Sequence, residues 1–526
     1  MDGSETQFGR GRATPPGAKT DAGNGRAEHR ALDDFDPPQM TQDQVAAGAE
    51  IDAAPAGDSG IDSDDRGLFS VLRHKHFAVF WSAAFGSFVG TWFEYIGVQW
   101  IVAERTRDTT WLATLGAAQL LPTLFLGLLG GIVADRVNRK KLLIVTQFAM
   151  MLIAIAFFVI VKKYGHQLSD AEADKEAVRV LLNWMLGLSL LQGIVAAFNN
   201  PAWQVMIPRL VPRSDLVRAI TLQGISFNAA RAVGPAIAGI LLAKAGGEWL
   251  FAVNAISFIG VMCAVMTTPD APAPTRDGKL TDISVIIADV KHSFGFMYHN
   301  KGARAALLAV VTFAVFGTPI LRFLPLFVTE VYQMQEKTFG LLTGVMGVGA
   351  VVGGLAMRWV PRWYPKHHFI PLSIFLGGLS ILAFSLAQNV WIAGVIMAFV
   401  GVFWMWSFNS AMSALQLLVD DSLRGRVMAV CNVISLGLMP VGPYFASFAG
   451  EGIAAAVERW TPDWWFRGLA PQAGIAVCAI VLLAAGVVMV IWRTPEVDGL
   501  KKGDAGFDRR PGFLRGLTAS AHRPPQ

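Results

Sequence analysis

The chain has 526 residues, of which 53% are hydrophobic and only 16% are charged, and its mean hydropathy is +0.45. Soluble domains carry about 25% charged residues, so this composition excludes a water-soluble protein of this length. The formal net charge of +5 is too small to indicate nucleic-acid binding and suits loops that lie against an anionic membrane surface. The three cysteines lie in apolar runs, so no disulfide framework, metal site or bound cofactor is expected.

Polar segments flank a long apolar region. Residues 1–66 are rich in Gly, Ala, Asp, Pro and Arg, and we predict a disordered tail without the features of a secretory signal. Residues 494–526 form a second polar tail. The region between the tails has room for about twelve membrane helices of about 20 residues each.

Apolar runs predict these helices in two groups of six. The predicted helices cover 77–103, 112–134, 142–161, 178–198, 217–243 and 249–267, and then 303–328, 339–360, 369–387, 391–418, 428–450 and 472–492. An N-terminal bundle at 67–268 and a C-terminal bundle at 302–493 flank a cytoplasmic loop at 269–301. In that loop, Ile283 to Met297 have the apolar spacing of an amphipathic surface helix. We therefore predict an all-α polytopic membrane protein with two pseudo-symmetric six-helix bundles.

The distribution of Lys and Arg sets the predicted orientation. With a cytoplasmic N-terminus, the basic loop Arg136–Lys141 falls inside, together with Arg424 and Arg426. Arg105 and Arg107 fall outside, so the short loops alone decide weakly and the flanking segments tip the balance. We expect both termini in the cytoplasm.

The two halves share a weak internal repeat. Arg218, Gly234 and Pro235 recur 208 residues later as Arg426, Gly442 and Pro443. Paired six-helix bundles are typical of transporters whose substrate site lies between the halves at the membrane midplane. Chance matches are common in Gly-rich membrane sequence, so the repeat is only supporting evidence.

The loop after the second predicted helix is the sharpest motif in the chain. The residues that we assign to a gate in this loop are Gly131, Asp135, Arg136, Arg139 and Lys140. Asp135 is interpreted as a carboxylate that pairs with the basic cluster, or with a helix N-terminus of the other bundle, in one state only. Asn138 is expected to adopt the left-handed conformation in the turn. The alternative is a positively charged turn that only fixes the orientation.

This loop resembles the signature between helices two and three of the major facilitator superfamily, with Asn138 where that pattern has Gly. Further segments resemble the branch that contains the enterobactin exporter and the macrolide-efflux-like permeases. They are 90–92, 122–124, 198–202, 210–216, 226–231 and 234–239, with 423–427 as the anchor in the second half. The counterpart of the basic loop around Arg358 and Arg362 lacks the Asp.

The resemblance implies a twelve-helix, proton-linked exporter of small molecules in a bacterial inner membrane. It implies gating or structural roles for Arg231, Gly234 and Pro235 in the fifth helix, and for Arg424 and Arg426 before the eleventh. Close helix packing and a kink explain Gly234 and Pro235 equally well, without any bearing on transport direction.

Three ionisable residues, Glu94, Arg231 and Arg322, lie inside predicted helices, where charges are costly and mark functional sites. Glu94 departs from the pattern of the branch, and a carboxylate there could carry the coupled proton; the alternative is a residue hydrated by headgroups. Arg322 follows 228 residues later and is predicted at a similar depth on the cavity wall. Other candidates for the cavity wall are Gln99, Gln119, Asn228, Asn254, Trp404 and Asn409. For any single one of these, an interhelical hydrogen bond or a lipid-facing ring is the simpler explanation.

The sequence thus predicts a monomeric secondary exporter that exchanges protons for a small amphipathic organic molecule by alternating access. A dedicated siderophore exporter and a lysolipid transporter are the alternatives among transporters. A membrane-embedded enzyme would need a catalytic cluster at the membrane face, and the loops show no such pattern. A receptor or scaffold would need signalling domains in the tails, which have low complexity.

Overall fold

The computed structural model describes residues 67–164, 171–268, 283–360, 364–457, 468–492 and 494–498. Inside helices, the side chains of 128, 135, 171–174, 205, 283–290, 421 and 422 are outside the described part. The predicted tail at 1–66, residues 269–282 of the central loop and residues 499–526 also lie outside the described residues.

The described chain is organised as fifteen α-helices. They are α1 (Lys75–Thr106), α2 (Thr109–Arg136), α3 (Arg139–Tyr164), α4 (Ala171–Leu210), α5 (Leu216–Ala245), α6 (Gly247–Met266), α7 (Ile283–His299), α8 (Lys301–Gly317), α9 (Pro319–Leu326), α10 (Glu336–Ala356), α11 (Lys366–Leu386), α12 (Val390–Leu418), α13 (Asp421–Leu438), α14 (Val441–Val457) and α15 (Leu469–Ile491). Short 3₁₀ turns occupy Leu68–Arg73, Arg213–Asp215, Met357–Trp359 and Pro495–Asp498, and a π-helical turn occupies Phe327–Val331.

Apart from the 17-residue α7, the described part contains twelve long helical segments, because α8, α9 and the π turn run on as one segment and α13 and α14 as another. Eleven of these segments are long and apolar enough to cross a membrane. The remaining segment, α1, has 32 residues and is long enough, but Glu94 and its Gly and Trp content make it less apolar. The predicted all-helical architecture is confirmed.

The boundaries agree with the sequence prediction to within a few residues, except at the α13–α14 segment, which spans 421–457 where 428–450 was predicted, and at α4. This helix continues to Leu210, twelve residues beyond the predicted end at 198, and contains Pro201 and Pro208. Proline is tolerated in membrane helices because neighbouring groups satisfy the freed backbone atoms. The amphipathic pattern at Ile283 corresponds to α7, which packs against α8 and α13.

The two groups of helices pack in the same way. In the first group, α2 packs against α4, and α3 packs against α6 and α4. In the second group, α10 packs against α12, and α11 packs against α15 and α12. The second, third, fourth and sixth segments of each half therefore have equivalent neighbours, as an internal repeat requires.

Side-chain caps fix several helix starts. Asp108 accepts a hydrogen bond from the Thr110 backbone N–H at 2.6 Å, and Asn389 accepts one from the Trp391 N–H at 2.9 Å. Asn138 does the same for α3, because its side-chain oxygen accepts from the Lys140 N–H at 3.0 Å. The expectation of a left-handed Asn138 was wrong: the described non-glycine residues with positive φ are Arg107 and Gln333. An N-cap needs an extended backbone, which the loop supplies here without a left-handed residue.

Small residues bring the two bundles together along α5 and α10. Gly239 lies against the backbone of Gly340, and Gly347 lies against the backbone of Ala232. A Cβ atom on Gly347 would lie 2.6 Å from the Ala232 Cα, so no side chain fits at that contact. These close approaches run from the middle of both helices toward the α1–α2 loop.

Candidate functional site

Arg322 reaches from the second bundle onto the first. It lies on α9, is only 6% exposed, and donates from Nη1 to Oε1 of Gln119 on α2 at 3.1 Å. Its guanidinium carbon lies 5.4 Å from the centre of the Tyr95 ring on α1. Gly116 makes room for the group, because a Cβ at that position would lie 2.9 Å from both Cζ and Nε of Arg322. Three residues of the first bundle thus surround one cation of the second.

Arg231 makes the opposite crossing. It lies on α5 of the first bundle, and its guanidinium carbon is 5.7 Å from the ring centre of Trp404 on α12 of the second. Trp404 is held edge-on by Phe313, with ring centres 5.2 Å apart. Such a cation over an aromatic face is an attractive electrostatic contact.

Gly234, one turn after Arg231, packs against Trp92 on α1. A Cβ at Gly234 would lie 2.8 Å from the Trp92 Cβ, so the glycine is required for the close approach of α5 and α1. Trp92 in turn meets Tyr95 edge-on, with ring centres 5.3 Å apart. The predicted Gly-Pro segment therefore supports the aromatic residues that accompany both arginines, and Pro235 beside it is buried inside α5.

Glu94 has a different partner from the two arginines. It is 6% exposed, and its Oε2 accepts a hydrogen bond from Nδ2 of Asn254 on α6 at 2.6 Å. Asn254 is fully buried, and its bond to Glu94 is an interhelical hydrogen bond between α6 and α1, which is the simpler explanation that the sequence left open for Asn254. No acidic side chain among the described residues lies within 4.0 Å of the Arg231 or Arg322 nitrogens.

Three further residues were predicted on the cavity wall: Gln99, Asn228 and Asn409. Gln99 is fully buried, and neither its Oε1 nor its Nε2 has a hydrogen-bond partner among the described residues. Asn228 donates to the Gly224 carbonyl of its own helix at 2.9 Å, and Asn409 donates to Sδ of Met405 at 2.8 Å. The structure therefore brings Gln119 and Trp404 to the arginines, but not Asn228 or Asn409.

A cluster of hydroxyl groups joins the bundles beside the α1–α2 loop, which we call the Thr109 end. Oε1 of Glu451 on α14 accepts from the hydroxyls of Thr109 at 2.9 Å, Thr110 at 3.0 Å and Ser447 at 2.9 Å. The Thr109 and Ser447 hydroxyls are themselves 2.6 Å apart. Tyr444 adds a hydrogen bond to Thr114 at 3.0 Å, one turn further along both helices.

An ion pair extends the contact at the Thr109 end. Arg107, whose backbone is left-handed with φ 50°, places Nε 3.4 Å from Oε1 of Glu330 at the end of the seventh segment. Residues of α1, α2, α14 and the π turn thus contact one another there. These residues could not be predicted from the sequence, because Thr and Ser at helix ends carry no pattern that distinguishes a contact between bundles from an ordinary cap.

The loop motif lies at the opposite end, which we call the Asn138 end. Arg139 Nε donates to the Ala134 carbonyl at 3.2 Å, and Lys140 Nζ donates to the carbonyls of Met266 at 3.1 Å and Thr268 at 2.7 Å. These basic side chains therefore satisfy the carbonyl ends of α2 and α6.

Other motif residues at the Asn138 end are placed as follows. Arg424 caps α12 in the same way through the Gln416 carbonyl at 3.0 Å. Arg136 and Arg426 are exposed, and Gly131 has open space where a Cβ would be. The predicted gating side chain of Asp135 is outside the described part.

A buried carboxylate also organises this end. Asp215 is 1% exposed and accepts from Nη2 of Arg73 at 3.0 Å and Nη1 of Arg218 at 2.8 Å. His74 Nε2 lies 2.8 Å from the same carboxylate. Asp215 therefore ties the start of α1 to the start of α5.

The fold defines the class of the protein: two six-helix bundles that meet along their second, fifth, eighth and eleventh segments form a membrane transporter of the major facilitator type. The bacterial homologue of the lysosomal transporter Spinster, in its inward-facing unoccupied conformation, matches with a TM-score of 0.56 at 16% identity, over 81% of this chain and 96% of that one. The D-xylose–proton symporter matches with a TM-score of 0.62 at 12% identity, over 82% of this chain and 100% of that one.

The family model for transmembrane secretion effectors matches residues 66–502, and the chain belongs to this family of the major facilitator superfamily. The staphyloferrin A transporter of Staphylococcus aureus is 23% identical over 374 residues, 71% of this chain and 89% of the relative. The enterobactin exporter of Salmonella typhimurium is 25% identical over 365 residues, 68% of this chain and 82% of the relative. The macrolide efflux protein A of Streptococcus pyogenes is 22% identical over 398 residues, 73% of this chain and 91% of the relative.

Proposed function

We propose that this transporter exports a small amphipathic organic molecule by alternating access, in exchange for protons, as a monomer in a bacterial inner membrane. The observation that carries the proposal is the pair of reciprocal crossings by Arg231 and Arg322, which place charged and aromatic groups of both bundles at their shared interface. A substrate bound there would touch both halves, so the halves would have to separate at one end to release it.

The Thr109 end is proposed to be the closed gate on the outer side. Its support is the hydroxyl cluster around Glu451 and the pair of Arg107 with Glu330. The excess of Lys and Arg at the Asn138 end supports a cytoplasmic location for that end and for both termini. In this proposal, the structure is the form that is closed to the outside, and Asp135 with its basic neighbours closes the inner side in the other form.

The names of the relatives suggest two chemical kinds of exported molecule. Two relatives are a transporter and an exporter of siderophores, and the third is a macrolide efflux protein. We propose a siderophore-like metabolite or a drug as the exported molecule, with Glu94 as the group that carries the coupled proton. Glu94 is buried in the interior of α1, and Asn254 is its hydrogen-bond partner.

Inside-out membrane vesicles that contain the full chain test this proposal. A respiration-driven proton gradient, followed by acridine fluorescence quenching, should be partly dissipated when the vesicles are given a substrate and exchange it for internal protons. We would add 2,3-dihydroxybenzoate, citrate and erythromycin separately and measure their accumulation by mass spectrometry. Uptake that is unchanged when the gradient is collapsed would contradict proton exchange, and no uptake of any of them would contradict the proposed cargo.

A further inference from the structure

Among the described residues, two guanidinium groups at the bundle interface have no carboxylate partner. Arg322 makes one side-chain hydrogen bond to a described residue, the neutral amide of Gln119, although a guanidinium has five N–H donors. The Arg231 guanidinium has no hydrogen-bond or ion-pair partner in the described part of the chain and lies over the face of Trp404. The acidic residue at this depth, Glu94, is bonded to Asn254 instead.

This arrangement leaves positive charge in an apolar region. A buried charge is costly unless an opposite charge or several hydrogen bonds compensate for it. Gln119 and two aromatic faces compensate only in part, because each is neutral. An anionic ligand between the bundles would compensate both charges, since its oxygens would accept hydrogen bonds from the two guanidinium groups.

The surroundings of the two arginines are aromatic. Tyr95 lies beside Arg322, and Trp404 lies beside Arg231. Trp92 packs edge-on against Tyr95. A ligand with a flat apolar part would pack against these rings while its charged group meets the arginines.

We propose that Arg231 and Arg322 form an anion-binding site between the bundles and that the transported molecule is an organic anion, with a carboxylate or a similar oxygen anion. This inference rests on the proposed function, since it identifies the substrate class of the same interface. It selects an anionic metabolite and excludes a cationic amphiphile as the cargo. Gly116 is a positioning residue in this site, because its missing side chain admits the Arg322 guanidinium to its place beside Gln119.

Binding to the purified full chain in detergent gives the direct test. The probes are 2,3-dihydroxybenzoate and 3,4-dihydroxybenzylamine, two catechols of similar size and opposite charge. Fragments of this size bind at about millimolar concentration, so titration calorimetry would extend to about 20 mM. We expect the wild-type protein to bind the anion and not the amine.

Arginine variants assign the site. Arg231→Gln and Arg322→Gln should each weaken binding of the anion by about tenfold or more, whereas Arg231→Lys and Arg322→Lys should retain part of it. Lys163→Gln removes an exposed charge at the far end of α3 and is the matched control, with unchanged binding expected. Equal binding of both probes, tighter binding of the amine, no binding of the anion, or binding that is unchanged in both Gln variants would each overturn the proposal.

Two glycine variants test whether anion binding depends on the position of the Arg322 guanidinium or only on positive charge at the interface. Gly116→Ala should displace Arg322 and weaken anion binding, whereas Gly127→Ala should not, because a Cβ at that position of the same helix would lie 3.9 Å from Cγ2 of Thr123, an ordinary van der Waals contact. Equal effects of the two would overturn the positioning role of Gly116.

The vesicle assay keeps this inference distinct from the proposed export. If vesicles that contain the wild-type chain accumulate the amine in response to the proton gradient, but not the anion, the proposed export stands and the anion site is overturned. If the purified chain binds the anion through both arginines but no compound enters the vesicles, the anion site stands and the proposed export is contradicted.

Discussion

Arg231 and Trp404 lie on different bundles, and the guanidinium carbon of Arg231 is 5.7 Å from the centre of the Trp404 ring. The contact joins the fifth segment to the tenth, at the level where Gly347 of α10 packs against the neighbouring Ala232. Any movement that separates the bundles at this depth must break it. The presence of this contact therefore depends on the distance between the two halves.

The first prediction concerns this contact. Arg231→Ala should lower the transport rate by about tenfold or more, whereas Arg231→Lys should lower it less, because a lysine keeps the cation over the ring. Transport in vesicles, normalised to the amount of protein in the membrane, measures both. If both variants transport at the wild-type rate, the contact has no part in the cycle.

A second prediction addresses the closed Thr109 end. Ser447→Ala and Thr109→Val each remove one hydroxyl donor of the Glu451 carboxylate, and a hydrogen bond to a charged group stabilises by about 1.5 kcal/mol. The population open at this end should therefore rise by about tenfold in each variant. Thr221→Val is the matched control, because among the described residues Thr221 bonds only to the Val217 carbonyl of its own helix.

Distance measurements between spin labels would follow this opening. Labels at Glu104 on α1 and Gly452 on α14, which are exposed and belong to different bundles, would replace those residues in a chain without its native cysteines. The distance distribution should gain a longer component in Ser447→Ala and Thr109→Val and not in Thr221→Val. A distribution identical to that of the parent protein would show that the hydroxyl cluster does not hold this end closed.

The third prediction concerns Asp135. If its carboxylate closes the Asn138 end in the other form, Asp135→Asn should lower the transport rate by about tenfold while the protein inserts and accumulates normally. Arg136→Gln and Arg139→Gln should show smaller losses, because the neighbouring cations substitute for one missing charge. Wild-type rates for Asp135→Asn in proteoliposomes would reduce the motif to an orientation signal.

A fourth prediction is about stability. Asp215→Asn removes the carboxylate that holds Arg73, His74 and Arg218 together. Loss of one partner from a buried ionic cluster should cost about 3 kcal/mol and lower the thermal unfolding midpoint in detergent by about 5 °C. Asp420→Asn is the control, because Asp420 precedes α13 as Asp215 precedes α5 but is exposed. Equal midpoints for the two variants would show that the cluster adds nothing to stability.

Much of this fold was predictable, because a membrane helix must be long and apolar to cross the bilayer. The end of α4 was not, since Pro201 and Pro208 resemble helix breaks in the sequence and are tolerated inside the helix. The intramembrane charges Glu94, Arg231 and Arg322 were found because such charges are costly. Their partners were not, because the rotation of each helix is fixed by packing between segments that are distant in sequence.

The contact of Thr109 with Ser447 shows the same limit at the Thr109 end. The two residues are 338 positions apart, and each alone is an ordinary hydroxyl near a helix end. Only the packing of α2 against α14 brings them together. Pairing of this kind is determined by the tertiary arrangement of the bundles, which local patterns do not contain.

The last prediction concerns proton coupling by Glu94. A carboxylate that carries a proton must be protonated in one form and ionised in the other, and its environment must therefore change between them. The hydrogen bond from Asn254 at 2.6 Å gives Glu94 a neutral partner within its own bundle. Glu94→Gln keeps the size and the hydrogen-bonding oxygen but cannot lose a proton, so export should no longer depend on the proton gradient although substrate still binds. Glu104→Gln, an exposed change on the same helix, is the control and should leave the dependence intact.

The swap Glu94→Arg with Arg322→Glu separates this role from a structural ion pair. Because Glu94 bonds to Asn254 and Arg322 bonds to Gln119, the swap should not restore a Glu94 variant that has lost function. Restored export in the swapped protein would show that the two charges act as a pair in another form of the cycle. If Glu94→Gln instead exports with an unaltered dependence on external and internal pH, the coupled proton travels through a different residue, and Glu94 has no role in coupling.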